Sequence, residues 1–209
     1  MKNLIGYCLA LAQRDTRMSL HVVAMNINHY HLEATDVEGS LPQFSYIFHK
    51  YAAKCLNAHY GRSENLWRAN QKTNYVELGD EAAVLDKAVY AITNVVKDGQ
   101  VARSEYWEGL LLWTPGSYTF HKPPVFFDPD GKLPKTLHLR ISPPPHVERH
   151  RHRQYLEDLR RAVKDAERHV RRSFADQGRR FRGVAAIRKL HYADSPKSPR
   201  PHGKLIPRV

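Results

Sequence analysis

The sequence predicts an α+β domain followed by a strongly basic helical extension. Segments with helical periodicity alternate with short β-branched segments over residues 3–98, and no apolar run is long enough to span a membrane. Residues 146–209 hold 18 Lys+Arg against 7 Asp+Glu, whereas residues 1–145 hold 15 against 14. This asymmetry indicates an arm that binds a polyanion, most simply nucleic acid. The alternative is a solvated helix and tail that only aid solubility.

The first elements follow from their apolar patterns. Residues 3–13 read as a helix, residues 19–24 as a strand, residues 26–28 as a turn and residues 29–35 as a second strand. The next helix is expected to start after Ser40 as N-cap, with Pro42 in its first turn and Gln43 completing a capping box. Gly61 should end it.

A third strand is predicted over residues 73–78, followed by a helix from Asp80 to Asp98 that ends at Gly99. The order α-β-β-α-β-α lacks only a leading strand to be the ferredoxin-like β-α-β-β-α-β arrangement. We therefore expect an antiparallel sheet with helices on one face and with its first strand missing.

The chain changes character after Gly99. Residues 123–141 resemble a hairpin folded about residues 128–131, and residues 142–145 form a proline-rich linker. A long basic helix is expected over residues 147–174, and residues 193–209, with four prolines, are expected to be disordered. The predicted division is a domain at 1–115, a hairpin and linker at 116–145, a basic helical extension at 146–192 and a tail at 193–209.

Two groups of residues suggest a site. His29 and His31 alternate along a strand and so share a face, where two imidazoles suit one divalent ion, while Tyr30 points the other way. On the helix after Asp80, Tyr90, Asn94 and Lys97 gather opposite the apolar side. An asparagine oxygen suits a hard metal ion. A chance histidine pair and a surface tyrosine are the alternatives.

The segment between these groups combines basic side chains with a tryptophan. Such residues can contact phosphates and stack on an unpaired base. A loop held by a buried Trp67 is equally compatible with the pattern. The candidate DNA contacts are Arg62, Trp67, Arg68 and Lys72.

At these positions the sequence resembles the single-tyrosine HUH transposases, particularly the REP-associated tyrosine transposases. The family's histidine pair with a hydrophobic residue between matches His29-Tyr30-His31-Leu32, and its Gly-Arg-x-x-x-Leu-Trp segment matches residues 61–67. Its tyrosine, asparagine and glycine motif matches Tyr90, Asn94 and Gly99. The resemblance covers roughly residues 3–115, and three ordered motifs are more specific than one. Val95 stands where the family commonly has proline.

The resemblance implies a bacterial mobile-element enzyme with a ferredoxin-like, RRM-like catalytic domain. Tyr90 would be the nucleophile, His29, His31 and Asn94 would bind Mg²⁺ or Mn²⁺, and the substrate would be single-stranded DNA that contains hairpins. Cleavage would leave a 5′-phosphotyrosine and a free 3′-hydroxyl.

Two other functions stay open on the sequence. One is a non-catalytic nucleic-acid-binding module, either a degenerate transposase or an RRM-like RNA binder. The other is a zinc-dependent hydrolase built on the histidine pair with Glu33. The start of the chain is interpreted as an amphipathic helix, and Cys8 and Cys55 as a reduced pair. We therefore expect a cytoplasmic protein without membrane contact, and a homodimer stays open.

Overall fold

A computed structural model of the protein describes residues 1–67, 73–126, 128 and 130–191. Short 3₁₀ turns lie at Ser104–Tyr106 and Arg149–Arg151. Arg68, Lys72 and the tail at 193–209 lie outside the described residues. The elements in chain order are α1 (Lys2–Thr16), β1 (Ser19–Met25), β2 (Tyr30–Thr35), α2 (Leu41–Tyr60), α3 (Glu81–Lys97), β3 (Leu111–Leu112), β4 (Gly116–His121), β5 (Thr136–Ile141), α4 (His152–Asp176) and α5 (Val184–Arg188).

The five strands form one mixed sheet with β1 at its centre. The strand order is β2-β1-β5-β4, and β3 also pairs with β1. β1 is antiparallel to β2 and β3 but parallel to β5, where Leu20 lies opposite Ile141. The α+β class is therefore confirmed, whereas the expectation of a wholly antiparallel sheet was wrong. The parallel neighbour comes from a hairpin more than a hundred residues away, which local patterns do not reveal.

Helices cover both faces of the sheet, so the expectation of helices on one face was also wrong. α1 and α2 pack on one face against Leu20 and Val23, and α3 and α4 pack on the other against Val22 and Ala24. A β-bulge between Leu20 and Val22 switches the alternation, which lets one short strand present apolar side chains to both layers. The four consecutive apolar residues at 22–25 in β1 were the sequence signal for two-sided burial.

Capping interactions define the ends of α2 and α3. Ser40 is the N-cap of α2 as predicted, but the capping box with Gln43 was wrong: the Asp36 carboxylate accepts hydrogen bonds from the Ser40 and Leu41 backbone N–H groups, both at 2.8 Å. Gly61, in the left-handed region at φ 62°, ends α2 as predicted. α3 begins after Asp80, whose side chain accepts from the Ala83 N–H at 2.7 Å.

The strand predicted over residues 73–78 is not formed. Tyr75 and Val76 are exposed, and the Tyr75 hydroxyl donates to Ser45 Oγ of α2 at 2.8 Å. Residues with high β-propensity form a strand only where a sheet edge can pair with their backbone. Here the segment packs on a helix instead, so it adds no strand to the sheet.

The predicted hairpin is real but begins earlier. β4 and β5 pair from Gly116 opposite Ile141 to His121 opposite Thr136, and the prolines at 123 and 124 lie in the connecting loop. Proline lacks the N–H that a ladder needs, which explains the displacement. This hairpin belongs to the same sheet as β1. Within the described ranges, none of the helices combines the length and the apolar character that a bilayer crossing would need.

Candidate active site

A tight turn between β1 and β2 positions the histidines. The Asn26 N–H donates to the His29 carbonyl at 2.9 Å, which closes the turn just before β2. Tyr30 and Leu32 then pack into the core with α2, so His31 and Glu33 lie on the opposite face of the strand, toward α3. The His29 and His31 ring centroids are 5.0 Å apart. The structure thus brings the two imidazoles side by side, as their spacing predicted.

α3 brings Asn94 to the same turn. The helix buries Ile92, Val95 and other apolar side chains against β1 and α4. Asn94 is polar, but it is buried as well and only 4% exposed. Its Oδ1 accepts a hydrogen bond from Asn26 Nδ2 at 2.8 Å and lies 2.9 Å from His29 Nε2. The asparagine predicted to lie on a polar face is therefore buried against the histidine turn.

His29 and Asn94 share one hydrogen-bond donor, the side-chain amide of Asn26. His29 Nδ1 lies 2.8 Å from Asn28 Oδ1, an oxygen that can only accept, so Nδ1 carries the proton. Nε2 then accepts from Asn26 Nδ2 at 2.8 Å, the same group that donates to Asn94 Oδ1, and these two acceptors are 2.9 Å apart. Adjacent ligands of an octahedral ion with bonds near 2.1 Å are about 3.0 Å apart. The two acceptors are therefore spaced as ligands of a small divalent cation, which would take the place of the Asn26 donor.

His31 supplies a further free nitrogen. Its Nε2 is buried and has no hydrogen-bond partner in the described part of the chain. Burial, with the neighbouring His29, lowers the pKa of His31, which favours the neutral form that ligates metals. His29, His31 and Asn94 are therefore the residues of this site that could hold Mg²⁺ or Mn²⁺.

Tyr90 lies one helical turn before Asn94 and next to His31. Its ring is 5.3 Å from the His31 ring, edge to face, and the residue is 42% exposed. Lys97 Nζ lies 4.4 Å from the Tyr90 ring centroid. Burial lowers the pKa of Lys97, with Lys87 acting in the same direction and Asp86 opposing it. The phenol thus lies beside the paired imidazoles and an ammonium group while open to solvent.

Glu33 lies on the same face of β2, two residues beyond His31. It is 7% exposed, and neither carboxylate oxygen has a partner among the described residues. Burial raises the pKa of Glu33 to about 7. Burial, together with the charge of nearby Glu33, raises the pKa of Tyr155 in α4. This carboxyl group therefore faces the layer between β2 and α4.

The predicted DNA contacts do not join this site. Trp67 Nε1 donates to the His49 carbonyl of α2 at 3.1 Å, on the side of the sheet that Tyr30 faces. The Tyr30 hydroxyl and His49 Nε2 are 2.5 Å apart, so this pair stands between Trp67 and the sheet. Arg62 pairs with Glu64 at 3.1 Å. Arg68 and Lys72 are outside the described residues.

Sequence reasoning gave no role to Asn26 and Asn28, which orient His29 from both ring nitrogens. Two asparagines flanking a histidine in a turn were the available signal. In the described part of the chain, no group of three or more His, Cys, Asp or Glu residues could hold a metal ion. The zinc-hydrolase alternative needs such a third ligand, whereas a hard ion accepts the Asn94 amide.

Comparison of the chain with protein-family models, with curated proteins and with solved structures finds no match.

Proposed function

We propose that the protein cuts and rejoins single-stranded DNA through a covalent bond between Tyr90 and the 5′-phosphate at the cut, as single-tyrosine HUH transposases do. The observation that carries the proposal is the convergence of Tyr90, Asn94 and the two histidines from a helix and a turn some sixty residues apart in sequence. The related fold proposal is a variant of the ferredoxin-like domain, supported by α1 followed by the β1–β2 hairpin and α2.

The chain's own groups fit the attack. The Tyr90 oxygen forms a bond to phosphorus, the bond from phosphorus to the 3′-oxygen breaks, and that oxygen leaves as a hydroxyl after taking a proton. The ester bond is conserved in the phosphotyrosine, so a second 3′-hydroxyl can reverse the step without ATP. Because a phenol ionises near pH 10, attack at neutral pH needs help. The Lys97 ammonium beside the Tyr90 ring is positioned to stabilise the phenolate.

His29, His31 and Asn94 would hold Mg²⁺ or Mn²⁺. When bound, the ion would polarise the scissile phosphate and orient it for in-line displacement. Asn26 and Asn28 hold the His29 ring in the tautomer whose Nε2 is an acceptor, and a bound ion would replace the Asn26 amide donor at that nitrogen. Cys8 and Cys55 are buried and form no disulfide, which supports a reducing, cytoplasmic setting.

The test is covalent capture. Wild-type protein is incubated with a hairpin-containing single strand and Mn²⁺, then run on a denaturing gel to detect a protein–DNA adduct. Tyr90→Phe should abolish the adduct while leaving DNA binding intact, because the phenol oxygen is the nucleophile. Tyr106→Phe, another exposed tyrosine, is the matched control and should retain it.

Survival of the adduct in Tyr90→Phe would overturn the assignment of the nucleophile. An electrophoretic shift of wild-type protein without any Mn²⁺-dependent cleavage would instead favour the non-catalytic nucleic-acid-binding module.

A further inference from the structure

A groove of about 630 Å³ lies between α4 and the segment of residues 103–113. We name it the α4 groove. Its α4 wall includes Arg160, Lys164, Arg168 and Arg171, and the facing segment adds Arg103 and the indole rings of Trp107 and Trp113. With Lys2 the lining holds six cationic side chains against the two carboxylates of Glu105 and Glu167. The groove therefore carries a clear excess of positive charge.

The two carboxylates are already occupied. Glu167, which is buried, accepts from the Ser104 N–H at 2.7 Å and from the Ser104 hydroxyl at 2.6 Å, and pairs with Arg171 at 3.4 Å. Glu105 pairs with Arg103 at 3.2 Å. These contacts fasten α4 to the facing segment, so the groove is built into the fold.

Arg168 pairs with Asp165 at 3.0 Å, so Lys2, Arg160 and Lys164 are the cations left over, and Arg160 and Lys164 are the two on α4. They are exposed, lie one helical turn apart and form no ion pair with any described residue. Along α4, Arg160 to Arg171 covers about 16 Å at 1.5 Å per residue. A row of this length, in which some cations form ion pairs and others do not, fits several successive phosphates of a polyanion better than it fits a single small anion.

The groove meets the candidate active site at the end of β1. Trp107 Nε1 donates to the Met25 carbonyl at 2.8 Å, and the Met25 N–H donates to the Leu110 carbonyl at 2.8 Å. The next residue, Asn26, bonds Asn94 at 2.8 Å. One wall of the groove is therefore attached to the turn that carries the histidines.

We propose that the α4 groove binds the single-stranded DNA that flanks the phosphate attacked by Tyr90. The cations neutralise its phosphates, and the indole rings of Trp107 and Trp113 offer faces on which unpaired bases stack. This assigns a role to the basic extension that the site residues alone do not give. The choice of DNA over RNA rests on the proposed function.

The test measures binding in the Tyr90→Phe background, where no adduct forms. Fluorescence anisotropy follows a labelled oligothymidine of about 20 nucleotides over a range of salt concentrations. Arg160→Gln/Lys164→Gln removes the two groove cations of α4 that form no ion pair with a described residue. Arg161→Gln/Arg172→Gln is the matched control, since it removes the same charge from exposed positions of the same helix outside the groove lining.

The groove variant should bind about tenfold more weakly, and the slope of log affinity against log salt should fall by about 1.4, roughly 0.7 for each lost phosphate contact. The control should keep the slope of the parent. Equal loss in both variants, or no change in the groove variant, would overturn the proposal. Tighter binding of the matching oligouridine RNA than of DNA would overturn the choice of DNA.

Tryptophan fluorescence gives a second readout. The chain contains three tryptophans, so Trp67→Phe leaves only Trp107 and Trp113. Oligothymidine should quench this emission, and Arg160→Gln/Lys164→Gln should shift the quenching to higher DNA concentration. Emission that DNA leaves unchanged would count against stacking in the groove.

The two proposals fail separately. A salt slope that depends on Arg160 and Lys164, in a protein whose wild type forms no Tyr90 adduct, would overturn the proposed function and leave the groove as a nucleic-acid interface. A Tyr90 adduct combined with an unchanged slope would overturn the groove alone.

Discussion

Replacing His31 with leucine should stabilise the metal-free protein and abolish its response to a divalent ion. His31 Nε2 is buried without a hydrogen-bond partner in the described part of the chain, which costs about 1–3 kcal/mol. Leucine removes that nitrogen but also removes the edge-to-face contacts with His29 and Tyr90, each worth about 0.5–1.5 kcal/mol. Since leucine keeps part of the apolar contact, we expect a net gain of about 1 kcal/mol.

The metal-bound protein should behave in the opposite way. An ion that binds only the folded state stabilises it by about 2.7 kcal/mol at a hundred times its Kd. For a chain of this size, 1 kcal/mol moves Tm by about 2–4 °C. Wild-type Tm should therefore rise by roughly 5–10 °C in Mn²⁺. His31→Leu should start about 2–4 °C above wild type in EDTA and show no rise.

Thermal unfolding in EDTA tests the expected stabilisation of His31→Leu, and thermal unfolding in Mn²⁺ tests its expected loss of response to the ion. His150→Leu is the matched control, because it removes an exposed histidine from the chain's other His-x-His pair. The reasoning is refuted when His31→Leu melts below wild type in EDTA, or when Mn²⁺ raises the Tm of His31→Leu as much as that of wild type.

Three further outcomes follow from single contacts. Asp36→Ala should lower the free energy of unfolding by about 1 kcal/mol, because Asp36 caps α2, whereas Gln43→Ala should stay within about 0.5 kcal/mol in urea unfolding. Burial lowers the pKa of His21 in the folded protein, so its contribution to stability is full above about pH 6.5 and is lost as pH falls through the folded pKa. The midpoint of urea unfolding should therefore decline with falling pH, and His21→Gln should make that decline smaller. An unchanged decline in His21→Gln would contradict the assignment to this histidine. Lys97→Met should slow Tyr90 adduct formation about tenfold, the effect of 1.4 kcal/mol in the barrier, with DNA binding unchanged; equal rates would exclude the lysine from the step.

The histidine pair and the tyrosine helix could be predicted because each depends on local periodicity. Alternation along a strand places His29 and His31 together, and helical spacing places Tyr90 and Asn94 one turn apart. The contact between the histidine pair and the tyrosine helix depends on the tertiary structure. Residue spacing did not predict this contact; the family resemblance did.

The errors share a cause, since each depended on which backbone or side chain lies nearby in space. The segment at 73–78 has strand-forming residues but no available sheet edge, and β1 takes its parallel neighbour from β5. Gln43 has the capping-box spacing, but the Asp36 carboxylate accepts from the first N–H groups of α2 instead, because the chain before α2 folds back on the helix terminus. The prediction that Trp67 contacts DNA is not among these errors and stays a prediction, although its indole packs on His49, on the face of the sheet opposite His31.

Some of the buried polar groups of the chain lie in or beside the turn that carries the histidines. His31 Nε2, Asn26 Oδ1 and both Glu33 oxygens are buried with no hydrogen-bond partner among the described residues, and Asn94 occupies a buried position on a helix whose other buried positions are mostly apolar. Each arrangement lowers stability, because a buried polar atom without a partner loses its hydration. A core selected for stability alone would fill these positions with apolar side chains. Asn26, His31 and Asn94 meet at the turn between β1 and β2, where His29 Nε2 and Asn94 Oδ1 lie 2.9 Å apart and both accept from Asn26 Nδ2, which is the spacing that the proposed ion would require.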